Sequence, residues 1–139
     1  MNTDTPRSDE LIEVRGTSFT FGDINQVVKN FYRQVAEHRH LKVPFSTVED
    51  WPHHIDNLTH FWWIRFGGRP YLEVQYNPVQ KHFETGYNEE FLDMWLTLFK
   101  DVLDSTLSKN QANLWFMFAE GIGNALTYHN EAMKKHYSK

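Results

Sequence analysis

The chain has 139 residues and a formal net charge of −4, which suits one domain with a hydrophobic core and argues against a nucleic-acid binder. It contains no cysteine, which excludes disulfides, zinc–thiolate sites and thioether attachment of a prosthetic group. Aromatic residues make up 16% of the chain, which indicates either a large core or a pocket for a flat apolar ligand.

Neither end of the chain carries a recognisable targeting signal. The N-terminal residues are polar and lack the apolar segment of a secretory signal peptide. No apolar run approaches the length of a membrane span. We therefore expect a soluble, cytoplasmic protein.

The N-terminal residues 1–16 are predicted to form an extension, and residues 17–139 a single domain. The apolar residues of the extension favour a short helix that ends at Gly16. Residues 17–21 alternate too briefly between polar and apolar side chains to predict a strand.

Two amphipathic helices are predicted next. Asp23 is a suitable N-cap for the first, whose apolar stripe consists of Ile24, Val27, Val28, Phe31 and Val35. Tyr32 lies at the edge of this stripe, where a core tyrosine with its hydroxyl near the surface is the commoner outcome. The second helix is predicted to begin near Trp51, because Pro52 is tolerated in a first turn, and to end at Gly67–Gly68.

One face of the second helix is apolar apart from a single imidazole. His54, Leu58 and Phe61 follow one another at helical spacing on this face. Trp62 and Trp63 widen the apolar surface until the end of the helix is hydrophobic on nearly all sides. This end is therefore predicted to be buried.

The second half of the chain predicts two further helices. Residues 70–77 alternate, but no other segment alternates clearly, so an extended connection is expected there. A helix over residues 88–107 has the apolar stripe Phe91, Trp95, Leu98, Phe99 and Val102. A last helix spans about residues 110–136, and Gly121 and Gly123 within it indicate a close helix crossing or a kink.

His82 lies in the loop before the third of these helices. Taken alone, it is most simply a surface or helix-capping histidine. The order of the elements changes that expectation, because the chain supplies in turn Tyr32, His54 with Leu58, His82 and Trp95.

This order of residues resembles a truncated haemoglobin, most closely the third group of that superfamily. The resemblance is carried by NFYRQV (30–35), VPF (43–45), DWPHHIDNLTHFW (50–62), VQKHF (79–83) and FLDMWLTLF (91–99). The last two segments in combination are fairly specific, whereas the others are weak alone. The resemblance implies an all-α truncated globin fold, a two-over-two helical sandwich that encloses a non-covalent haem b.

The resemblance also implies roles around the iron. His82 matches the proximal iron ligand, and Tyr32 matches the distal tyrosine that donates a hydrogen bond to the bound ligand. His54 matches the distal histidine, Leu58 the residue that overhangs the iron, and Trp95 the tryptophan shared by the second and third groups. His54 is also the main rival of His82 for the iron.

Other residues are implied as haem contacts. Phe45 matches the phenylalanine that wedges the haem, and Lys81 occupies a place where a cation can meet a propionate. The remaining expected contacts are Phe31, Phe61, Trp62 and Phe91. His60 falls off the face of His54 and is a weaker rival for the iron.

The implied function is reversible binding of oxygen, carbon monoxide and nitric oxide. Three donors, Tyr32, His54 and Trp95, would slow the release of oxygen, which suits detoxification of nitric oxide or peroxide better than delivery. No G-x-G-x-x-G motif is present, so electrons are expected from a separate reductase. The alternatives are a haem-free globin-like sensor or binding module and an interaction domain with an aromatic face at residues 61–63.

Overall fold

The computed structural model describes residues 5–38, 51–72 and 89–137. In chain order, the elements in these ranges are β1 (Leu11–Val14), β2 (Thr17–Thr20), α1 (Phe21–Glu37), α2 (Trp51–Arg65), α3 (Glu89–Thr106) and α4 (Lys109–Tyr137). Helix α1 packs against both α2 and α3, and α3 packs against α4. The four predicted helices are therefore present, with boundaries within a few residues of those expected.

A β-hairpin of β1 and β2 spans the expected boundary between the N-terminal extension and the domain, and the short helix expected to end at Gly16 is wrong. Strands β1 and β2 pair antiparallel, with Leu11 opposite Thr20. The turn residues Arg15 and Gly16 have φ angles of 49° and 82°, as a two-residue type I′ hairpin turn requires. The segment judged too short for a strand is thus held by its partner strand.

The hairpin is attached to the helices through its turn and its second strand. The guanidinium carbon of Arg15 lies 5.4 Å from the ring centroid of Phe118 on α4. In β2, Phe19 is fully buried and stacks on Phe66, with ring centroids 5.2 Å apart. The hairpin is therefore attached to the hydrophobic core through Phe19.

The start of α1 is set by a reciprocal cap. The Asp23 backbone N–H donates to Thr20 Oγ1, and the Thr20 backbone N–H donates to Asp23 Oδ2, both at 3.0 Å. The N-cap is therefore Thr20, and Asp23, which we expected in that role, is the third helical residue of the capping box.

Two cross-helix hydrogen bonds fix α1 relative to its neighbours. Asn25 Nδ2 donates to Thr59 Oγ1 on α2 at 3.2 Å, and Asn30 Nδ2 donates to Thr106 Oγ1 on α3 at 3.2 Å. Because Thr59 is buried, its bond to Asn25 is shielded from water. These contacts hold the position of Tyr32, half a turn after Asn30.

Helix α2 ends at Gly67–Gly68, as predicted. Gly67 has a φ of 97°, its N–H donates to the Ile64 carbonyl, and the Gly68 N–H donates to the Trp63 carbonyl at 2.8 Å. This is the hydrogen-bond pattern of a Schellman motif, in which glycine adopts the left-handed conformation without a steric penalty. A Cβ on Gly68 would overlap the indole of Trp63.

We expect Gly68→Ala to lower the free energy of unfolding by about 1–3 kcal/mol, because the buried indole of Trp63 must move. The matched control is Gly121→Ala, since Gly121 lies in α4 and a Cβ added there would have no atom within 4 Å. The control should raise stability by about 0.5–1 kcal/mol. Urea unfolding midpoints of the two variants measure both effects. Equal midpoints would contradict the inferred overlap between a Cβ at position 68 and the indole of Trp63.

The core is an aromatic cluster between β2, α2, α3 and α4. Trp115 is fully buried and contacts the rings of Phe19, Trp62, Phe66 and Phe99. The expected close crossing of α3 and α4 occurs at Gly123, where a Cβ would lie 3.0 Å from Leu92 Cδ1. Within the described ranges, no helix combines the length and hydrophobicity needed to cross a bilayer.

Candidate functional site

Tyr32 and His54 lie against each other where α1 and α2 meet. Their ring centroids are 5.3 Å apart and the rings are nearly perpendicular. Tyr32 is buried, with 6% of its surface exposed, and Leu58, one turn beyond His54, is 4% exposed. A phenol, an imidazole and an aliphatic side chain from two helices are thus brought to one place.

Trp95 joins this group through Phe31. The Phe31 ring is fully buried, 4.8 Å from the ring centroid of Tyr32 and 5.1 Å from that of Trp95. Trp95 also packs on Phe99, at 4.9 Å. The residues predicted for the distal side of a ligand site therefore come from three helices, and the ring of Phe31 links Tyr32 on α1 to Trp95 on α3.

A buried donor on Trp95 has no acceptor among the described residues. Its Nε1 atom is inaccessible to solvent, although an indole N–H can only donate and normally finds a partner when buried. The Oδ1 atom of Asn57, one turn after His54, is likewise buried without a donor in the described part of the chain. The buried N–H of Trp95 and the buried Oδ1 of Asn57 are groups that suit a site for a small polar ligand.

Trp115 is a second tryptophan whose buried indole N–H has no acceptor in the described part of the chain, and it serves as a comparison for Trp95. Its Nε1 also lacks an acceptor among the described residues, but aromatic rings enclose it. Its edge-on contacts with Phe19 and Phe66 suit a weak N–H···π interaction. The unsatisfied N–H alone is therefore not a ligand signal. Trp95 differs from Trp115 in its contact with Phe31, whose ring also contacts Tyr32.

Some of the predicted haem-contact residues lie within the described ranges, and others lie outside them. Trp62 lies in the aromatic core, where its ring stacks on Phe99 at 5.9 Å, and Phe61 is half-buried beside it. For Phe91, the structure gives the backbone position in α3. Phe45, Lys81 and His82 lie outside the described residues, so their assignments stay predictions.

Trp51 also lies next to the candidate site, although the sequence predicted for it only the start of α2. Its ring lies 5.6 Å from that of His54 and 6.2 Å from that of Tyr32. The three-residue spacing of Trp51 and His54 places both on one helix face, which is the signal that could have found it.

His60, the weaker rival for the iron, has a structural role. It is buried, and its Nε2 accepts hydrogen bonds from the backbone N–H groups of Tyr71 and Leu72, at 3.2 and 3.3 Å. Burial lowers the pKa of His60 from its usual 6.5. The neutral ring therefore fixes the chain after α2 and leaves no lone pair for a metal.

The lowered pKa of His60 predicts a pH-dependent stability. Because the folded-state pKa lies below the unfolded value of 6.5, the contribution is present above pH 6.5 and is lost as the pH falls below it. A protonated Nε2 would also face two N–H donors. The slope contributed by one group is at most about 1.4 kcal/mol per pH unit.

We expect His60→Gln to flatten the fall in unfolding free energy between pH 7.5 and 5.5. Glutamine keeps an acceptor oxygen but does not titrate. Urea unfolding at both pH values measures the slope, with His53→Gln, on the exposed side of α2, as control. An unchanged slope in His60→Gln would contradict the assignment.

Comparison with known proteins gives one family match and several structural matches. The family model for bacterial-like globins matches residues 20–122. A group III truncated haemoglobin from Campylobacter jejuni has a TM-score of 0.70 at 22% identity, covering 82% of this chain and 92% of that one. No curated protein matches the chain.

Two further solved structures share the fold. A thermostable haemoglobin from Thermobifida fusca has a TM-score of 0.67 at 22% identity, covering 78% of this chain and 90% of that one. A truncated oxygen-avid haemoglobin from Bacillus subtilis has a TM-score of 0.64 at 26% identity, covering 75% and 90%. Each of the three neighbours is thus matched over at least three quarters of this chain.

Proposed function

Because this chain belongs to the bacterial-like globin family, we propose that it binds oxygen and other diatomic ligands reversibly at a non-covalent haem b. The family and the all-α truncated globin fold expected from the sequence are confirmed, and a group III truncated haemoglobin is among the structural neighbours. Family membership establishes a haem-based gas-binding protein, and the identity of the haem and of the physiological ligand are parts of the proposal.

The observation that carries the proposal is the Tyr32–His54 pair, to which the buried indole N–H of Trp95 is linked through the ring of Phe31. When bound, haem would supply an iron that binds a diatomic ligand. On the protein side, Trp95 and Tyr32 donate hydrogen bonds to the ligand, and His54 adds a third donor. Leu58 presents an apolar side chain that limits the space and excludes water.

These donors favour some ligands over others. A hydrogen bond to a partly charged acceptor is worth more than one to a neutral acceptor, so oxygen gains more from Trp95 and Tyr32 than carbon monoxide does. The same bonds slow the release of oxygen. The oxygen-avid neighbour from Bacillus subtilis is consistent with this proposal.

The remaining predicted residues complete the proposal. We assign His82 as the protein ligand to the iron and Lys81 as a cation that would meet a haem propionate. Because exposed ion pairs are worth less than about 1 kcal/mol, Lys81→Ala should change haem loss only a few-fold. The apolar haem contacts are assigned to Phe31, Phe45, Phe61, Trp62 and Phe91.

A slow release of oxygen suits the chain to detoxification in the cytoplasm rather than to oxygen delivery. One nitric oxide, one oxygen molecule and one electron give one nitrate ion, with the electron drawn from a separate reductase. Peroxide reduction is the second candidate role and needs two electrons from the same kind of donor.

The test of the detoxification role is to mix the oxygenated protein with one equivalent of nitric oxide. We expect about one nitrate ion to form per haem after mixing. The matched control is the protein saturated with carbon monoxide, which supplies no oxygen and should form no nitrate. Loss of nitric oxide without nitrate would overturn this role while leaving gas binding intact.

A further inference from the structure

An open cleft lies between α1 and the first turns of α2, next to the ligand site described above. Its volume is about 520 Å³, within the range of pockets that take small organic molecules. The residues that line it include Lys29, Tyr32 and Arg33 from α1 and Trp51, Ile55 and Asp56 from α2.

The α1 side of the cleft carries two cations. Lys29 and Arg33 are exposed and stand one turn apart on the same helix face. Among the described residues, neither forms an ion pair. Asp56 is the carboxylate on the opposite wall, so the charge of these lining residues is positive.

The floor of the cleft is aromatic and apolar. The rings of Tyr32 and Trp51 lie 6.2 Å apart and are tilted by 46°, and Ile55 stands one turn beyond Trp51. Trp51 is also the first residue of α2, where the helix dipole favours negative charge. A flat apolar surface thus lies next to a cationic rim.

We propose that this cleft binds a small organic anion with a flat apolar body, of the aromatic carboxylate class. The carboxylate lies between Lys29 and Arg33, and the ring lies against Trp51 and Ile55. The cleft adjoins the gas-binding site, because Tyr32 and Trp51 line it and the rings of both contact that of His54. An occupant would therefore touch a residue that also faces the gas ligand.

The test is a calorimetric titration of the full chain, as the ferrous protein saturated with carbon monoxide, with 2-naphthoate. Carbon monoxide occupies the iron, so the carboxylate of the probe cannot bind there. The matched ligand is 2-naphthalenemethanol, which keeps the ring and lacks the charge. We expect naphthoate to bind at least about fivefold more tightly than the alcohol and to weaken with added salt.

Variants assign the binding to the cleft. Lys29→Met and Arg33→Met should each weaken naphthoate binding by about two- to fivefold, the range expected for exposed charge pairs. Asp56→Asn should strengthen it. Lys109→Met, which removes an exposed cation that does not line the cleft, should leave it unchanged.

Three results would overturn the proposal. The first is no heat of binding at millimolar naphthoate. The second is equal affinity for naphthoate and the alcohol. The third is an affinity that Lys29→Met and Arg33→Met leave unchanged, which would place the probe elsewhere. The Soret band of the carbon monoxide complex reports haem and gas binding separately, so failure of naphthoate to bind leaves gas binding unaffected.

Discussion

Replacing Trp95 with phenylalanine is expected to raise the rate of oxygen dissociation by about ten- to one-hundred-fold. A hydrogen bond to a partly charged ligand is worth about 1.5–3 kcal/mol, and each 1.4 kcal/mol is a factor of ten. Phenylalanine keeps an aromatic ring against Phe31 and Phe99, whose centroids lie 5.1 and 4.9 Å from that of Trp95. The variant therefore removes mainly the donor.

Stopped-flow dissociation of oxygen measures this effect. Tyr32→Phe should change the rate in the same direction, and carbon monoxide dissociation should change less in both variants. Trp115→Phe is the matched control, because it also removes a buried indole N–H, but from the aromatic core. If the wild-type protein releases oxygen as fast as the Trp95 and Tyr32 variants, these donors do not act on the ligand.

Replacing His82 with alanine is expected to cause the largest loss of haem affinity of any single substitution. Removal of a metal's supporting partner typically costs 10–100-fold in affinity, and removal of the ligand itself should cost more than about 100-fold. Of the two rival histidines, His60 accepts hydrogen bonds from backbone N–H groups at its Nε2, so His54 is the rival against which His82 is compared.

The matched comparison is His54→Ala, which should keep haem. Transfer of haem to an excess of apomyoglobin measures the loss rate for both variants. Rapid loss from His54→Ala together with retention by His82→Ala would show that the proximal and distal assignments are reversed.

The helices could be predicted because local signals mark their ends. Pro52 restricts the start of α2, and Gly67–Gly68 forms the hydrogen-bonded end that glycine pairs favour. The hairpin could not, because its strands have four residues each and Arg15 takes a turn position at which asparagine or aspartate is usual. Its stability comes from packing of Phe19 in the core, which the local sequence does not reveal.

The candidate site was predictable in part. The order of Tyr32, His54 and Trp95 along the chain indicated one site. In the structure Tyr32 contacts His54, and Phe31 links Tyr32 to Trp95. The position of Trp51 and the cleft beside it depend on the angle at which α1 and α2 meet, which residue periodicity does not specify. The partners of His60 lie across a turn and depend on how the chain leaves α2.

The most direct test of haem and gas binding is a titration of the purified chain with haemin, followed by reduction and addition of carbon monoxide. We predict saturation at one haem per chain and a sharp Soret band that shifts when carbon monoxide is added. No Soret change on adding haemin, or uptake without saturation, would contradict it and favour a haem-free globin-like module or interaction domain.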